Sequence, residues 1–177
     1  MRRLTITILS LILGINFCLA QNDSVKPYTS VKQLDFMIGE WEGTSWMMTR
    51  KGKENSVVKE KAEYKLGKSI IVVEGIGTKT DTIKNNTTTI HNAFGIISYD
   101  SEKKRLLMNA YKNGESTLSE IKFIANKVIQ WGMENTNGSK VRFTVDFSAK
   151  DKWTEIGEFS RDGINWTKFL EMKLTRK

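Results

Sequence analysis

Cysteine, histidine and proline occur once each in this 177-residue chain, and each scarcity removes a class of protein. A thiol-and-imidazole zinc centre needs a cluster of ligands that one Cys and one His cannot supply. A disulfide framework needs pairs. Proline-rich and collagen-like architectures fail on a single proline. Disorder is excluded from the other side: hydrophobic residues make up 39% of the chain, aromatics 10%, and apolar strands recur to the end. Also missing are a Gly-x-Ser-x-Gly elbow, a phosphate-cradling glycine loop and a metal-binding His pair. Asn135-Thr136-Asn137-Gly138 echoes part of a calcium loop, but it lacks the charged ligands and distal glutamate.

What is present begins with an export signal. Arg2 and Arg3 precede an apolar run from Leu4 to Phe17, and Cys18-Leu19-Ala20 offers small residues before a cut. This is the pattern of a secretory signal peptide over 1–20, too short to cross a bilayer comfortably. The residues before Cys18 are Ile15-Asn16-Phe17, whereas lipid attachment wants small residues there, so a soluble product is expected over an anchored one. Cleavage after Ala20 removes the only cysteine. It also lowers the net charge from +8 to +6 by removing Arg2 and Arg3. The expected location is periplasmic or extracellular, with a flexible lead over 21–29 and one domain over 30–177.

Ser30 to Ile38 reads as about two helical turns, with Ser30 as N-cap and Gly39 as the stop. Beyond it come strands cut by nine turn signals, such as Lys51-Gly52-Lys53, Lys112-Asn113-Gly114 and Arg161-Asp162-Gly163. Nine turns imply ten strands. Val141 to Phe147 alternates apolar and polar residues, while Ile70-Ile71-Val72-Val73 is apolar on both faces. Short turns between successive strands make an antiparallel meander, and closing it removes two exposed edges. The expected fold class is therefore all-β: a single antiparallel up-and-down barrel of about ten strands preceded by one short N-terminal helix.

The segment Phe36-Met37-Ile38-Gly39-Glu40-Trp41-Glu42-Gly43, a short helix running into Gly-x-Trp-x-Gly, resembles the opening of lipocalin-like (calycin-type) barrels. The later Gly95-Ile96-Ile97-Ser98-Tyr99-Asp100 makes the chain most similar to the uncharacterised bacterial domain-of-unknown-function 1579 family, and more distantly to nitrobindin-like haem barrels. The layout resemblance covers nearly the whole exported chain, the motifs about a dozen residues. It implies a barrel plugged at one end by Trp41, with Gly39 and Gly43 flanking it and a basic residue of the last strand, Arg176 or Lys173, lying over the indole. Nitrobindin-like barrels hold haem through a histidine near the C-terminus. This chain has none there, and no cofactor is expected.

Parity sorts the loops. Turns after even strands lie beside Trp41 and are basic (Lys65, Lys68, Lys103, Lys104, Arg105, Lys127, Lys150, Lys152), which offers contact with a membrane or another anionic surface. Turns after odd strands lie at the opposite mouth and are rich in Asn and Gly. No basic–aromatic strand motif points to nucleic acid. A barrel of this size can hold one small ligand, and polar or aromatic residues on different strands are the candidate contacts: Trp46, Tyr64, Glu74, His91, Asn109, Tyr111, Gln130 and Trp131, with Met48, Met108 and Met133 adding adaptable apolar surface. The expected function is non-covalent binding of a small, largely apolar molecule. The alternatives are an enzyme with His91 as general base assisted by Glu74 or Tyr111, and a filled barrel that serves only structure or interaction.

Overall fold

The structure, a computed structural model, describes residues 30–177; the signal peptide and lead expected over 1–29 lie outside the described residues. Ten strands follow one another around a closed barrel: β1 (Gly39–Thr49), β2 (Gly52–Lys65), β3 (Ile70–Asp81), β4 (Asn86–Asp100), β5 (Arg105–Lys112), β6 (Glu115–Ala125), β7 (Val128–Glu134), β8 (Lys140–Asp146), β9 (Lys152–Ser160) and β10 (Thr167–Arg176). Every strand pairs antiparallel with its sequence neighbours. β10 returns to β1 in a register running from Trp41 opposite Arg176 to Met47 opposite Leu170.

The turns follow the chemistry of their residues. Asn113 and Gly114, with φ of 54° and 83°, form a two-residue link between β5 and β6 that needs left-handed backbone at both positions. Asp100 closes the end of the Gly-x-x-x-Tyr-Asp motif: its Oδ1 accepts the Lys103 N–H at 3.0 Å.

The segment ahead of β1 departs from the expected helix of two α-turns. Val31–Met37 is a 3₁₀ helix, capped by Ser30 Oγ accepting the Lys32 N–H at 3.2 Å and kinked at Leu34. The cause lies in the spacing of its buried residues. Val31, Leu34 and Met37 recur every third position, which aligns them along one edge at three residues per turn but not at 3.6.

This helix lies across one end of the barrel, and Trp41 fills that end beneath it. The indole is 2% exposed, donates from Nε1 to Met37 O at 2.9 Å, and meets Phe147 and Trp153 edge-on at 5.6 and 5.7 Å. The Arg176 guanidinium lies 4.0 Å over its ring. The same group donates from Nη2 to Phe36 O at 2.8 Å, from Nη1 to Ile38 O, and from Nε to Asp151 Oδ1 at 3.2 Å. Gly39 has φ of +140°, and a Cβ there would stand 2.4 Å from Arg176 Nη1. At Gly43 a Cβ would stand 2.0 Å from the Lys173 carbonyl, so only glycine lets β1 and β10 approach this closely.

Candidate functional site

Away from the plug the barrel is hollow. A cavity of about 450 Å³ runs from beneath Trp153 and Met37 toward the mouth, where Glu54, Lys112, Asn113 and Glu115 stand around it. Strand alternation builds its wall. Because Trp41 points inward, Ser45 and Met47 do too; the same two-residue step sends Val58 and Glu60 inward on β2, Trp131 and Met133 on β7, and Trp153 and Glu155 on β9. A bulge between Lys168 and Leu170 brings both Phe169 and Leu170 of β10 against the cavity. Five methionines contribute to the lining, Met37, Met47, Met108, Met133 and Met172, and their flexible thioethers adapt to irregular shapes. Trp131 and Phe143 stack at 4.2 Å between centroids, 17° from parallel, and Phe169 meets Phe143 edge-on at 5.9 Å.

Of the residues singled out in the sequence, His91, Trp131, Met108 and Met133 line this cavity. His91 is held below its ordinary value by burial first and by Lys112 second, so the imidazole is neutral at pH 7. Tyr111 reaches the cavity only at the rim; it is 39% exposed, and its ring lies 6.3 Å from that of Phe94.

The others lie elsewhere, all but Tyr64 for reasons of strand parity. Trp46 alternates with the inward Ser45 and Met47, so it faces outward, with the Lys53 and Lys168 ammonium groups 4.4 and 5.4 Å from its ring. Met48 is 52% exposed near the end of the same strand. Glu74 stands between the inward Val73 and Gly75 and is solvent-exposed on the outer face. Asn109 lies between Met108 and Ala110 and donates to the Tyr111 hydroxyl at 2.6 Å outside the barrel. Gln130 donates to Thr144 Oγ1 at 3.1 Å across the outer face of β7 and β8. Tyr64 sits at the plugged end, where its hydroxyl donates to Asp35; burial first, and then that carboxylate, push it up to about 12. Outward placement of Glu74 removes it as the partner that would assist His91.

Two cavity residues have no counterpart among the expected contacts. Glu60 and Glu155 project inward from β2 and β9, strands separated in the barrel by β1 and β10. Burial pushes Glu155 up to about 7, while the neighbouring Trp153 indole pulls the other way without completing a hydrogen bond. Glu60 is raised well above the ordinary carboxylate range by burial first and by the charge of Glu155 second. Ser45 and Ser56 hydroxyls pair at 2.8 Å, whereas Ser119 Oγ and Trp153 Nε1 are buried with no hydrogen-bond partner among the described residues.

No family model matches this chain, and no curated protein does. Among solved structures, the crystal structure of Rv2717c from M. tuberculosis superposes with a TM-score of 0.57 at 10% identity, covering 83% of this chain and 96% of that one. A protein of unknown function from the DUF3598 family, from Nostoc punctiforme, matches at a TM-score of 0.25 and 7% identity, over 85% of this chain and all of that one. At these identities the first likeness establishes shared architecture: a closed, ten-stranded antiparallel barrel.

Proposed function

We propose that this chain is an exported, lipocalin-like barrel, of the domain-of-unknown-function 1579 type, that holds one small and largely apolar molecule non-covalently. The observation that carries this reading is the open cavity of about 450 Å³ with a wall of methionine, aromatic and aliphatic side chains. Its volume lies within the usual range for small-molecule sites, and a ligand burying roughly 200 Å² of apolar surface would gain about 5 kcal/mol from that burial. The hollow interior favours a binder over a barrel filled by its own side chains.

The test is titration with the uncharged apolar dye N-phenyl-1-naphthylamine, read by energy transfer from Trp131 and Trp153. Saturable binding at one site is expected, with loss of binding in Ala110→Trp, which places an indole in the cavity. Dye uptake that is unaffected by Ala110→Trp, or no uptake at all, overturns the proposal. Export is tested separately by intact mass after expression in a bacterial host with its secretion machinery, where the product should begin at Gln21.

A further inference from the structure

We infer that the cavity selects an apolar organic cation, an amine with a hydrophobic body, whose ammonium group sits at Glu60 and Glu155. This deepens the apolar-ligand reading and rests on it. Several acidic side chains elsewhere in the described residues have basic partners. Arg142 pairs with Glu158 at 2.7 Å, Arg105 with Asp100 at 3.4 Å, and Glu54 at the cavity mouth with Lys79 at 3.8 Å. Glu60 and Glu155 form no such pair, although both project into the barrel. Among the described residues, the only basic ones on the wall are Lys112 at the rim and His91, which is neutral at pH 7.

Three further observations point to positive charge. First, the Glu60 carboxyl occupies space left by Gly75: a Cβ there would stand 2.5 Å from its Oε1, so any other residue would displace it. Second, the rings of Trp131 and Phe143 stand on the same wall, and the negative potential of aromatic faces attracts cations. Third, the Trp153 N–H is itself unpartnered and lies beside Glu155, so it is placed to bond the carboxylate once an incoming cation has fixed that group's charge and position. Among the described residues no three His, Cys, Asp or Glu side chains come together as metal ligands, and an apolar, sulfur- and ring-lined wall suits an organic body. An aliphatic acid would instead add a further carboxyl beside Glu60 and Glu155.

Charge balance predicts a signature. The two carboxyls retain a proton near neutrality; a bound ammonium stabilises their ionised forms, so the proton leaves to solvent as the cation enters.

The experiment is calorimetric titration of the full-length protein with octylamine, octanol and octanoate at pH 7, in phosphate and in Tris. Octylamine should bind at least tenfold more tightly than the other two. Its enthalpy should differ between the buffers in the direction of proton release. The E60Q/E155Q variant should lose at least tenfold in octylamine affinity while its octanol affinity stays unchanged, which also shows the cavity intact. If the double variant does not fold, E155Q alone supplies the same comparison. Octanol or octanoate binding as tightly as octylamine overturns the cation assignment and leaves the apolar-ligand reading standing. Unchanged octylamine affinity in the variants overturns it as well. Failure of all three probes to bind, with the dye also excluded, removes both readings.

Discussion

The plug and the cavity directly beneath it treat charge in opposite ways. In the plug, the Trp41 indole N–H meets Met37 O, and Arg176 divides its donors among Phe36, Ile38 and Asp151 while its face covers the ring. In the cavity, Glu60 and Glu155 form no ion pair among the described residues, and the Trp153 N–H has no hydrogen-bond partner there. The contrast recurs across the wall of one sheet. Glu171, outside on β10, is held down to about 2 by hydrogen bonds from Lys168 and Lys173, whereas Glu155, inside on the neighbouring β9, is pushed up to about 7 by burial. Saturated interactions build stability, and unsatisfied ones leave binding energy for a molecule from outside.

The largest expected effect breaks the plugged end. Trp41→Ala removes the indole beneath the helix and should cost about 3–5 kcal/mol, lowering Tm by roughly 10 °C or more in a thermal melt. Next comes pH, which acts on the cavity. For a carboxyl whose folded pKa is raised, the stability contribution is full below its ordinary value and is lost as pH rises through the raised one. For Glu155 that window runs from about 4.5 to about 7, with Glu60 acting in the same direction. His91, held low by burial, works oppositely below its ordinary 6.5. The ligand-free protein should therefore lose about 3 kcal/mol between pH 5 and pH 8, and E60Q/E155Q should flatten the profile. A wild-type Tm that rises over this range would contradict the burial of the two carboxyls.

Arg176→Ala should cost about 2 kcal/mol in chemical denaturation, through the lost ring contact and two orphaned carbonyls, with Arg176→Lys recovering only part because an ammonium cannot span both acceptors. The smallest effect belongs to Trp46→Ala. That ring lies outside, so stability should change by less than about 1 kcal/mol and dye affinity should not change at all. A large loss of binding would mean that Trp46 reaches the cavity after all.

Much of the architecture was readable because turn residues and alternation are local signals. Asn113-Gly114 marks its hairpin, and parity alone places Arg176 and Trp41 at one end, where they lie 4.0 Å apart. The 3₁₀ period was also there, in the three-residue spacing of Val31, Leu34 and Met37, but it was obscured by Phe36 and Ile38 beside it. Facing was harder. An inward Trp41 already forces Trp46 outward, and an inward Met108 forces Asn109 outward; carrying that count along each strand would have removed both from the contacts. Glu60 was hidden differently. Between Lys59 and Lys61 it reads as part of a solvated charged run, and only its two-residue step from Val58 and Ala62 betrays the inward face. The bulge that turns both Phe169 and Leu170 to the cavity has no local mark in the sequence.

The contact of Arg176 with the carbonyls of Phe36 and Ile38 has a consequence in time as well as in space. Its partners are 140 and 138 residues away along the chain. Every other strand pair joins sequence neighbours and can zip as a hairpin, but β1 must wait for β10. A chain that emerges with β1 first therefore carries an open sheet with two bare edges until its last strand arrives. The seam between β1 and β10 is the final one to close, and the arginine at its end is the clasp that makes the closure last.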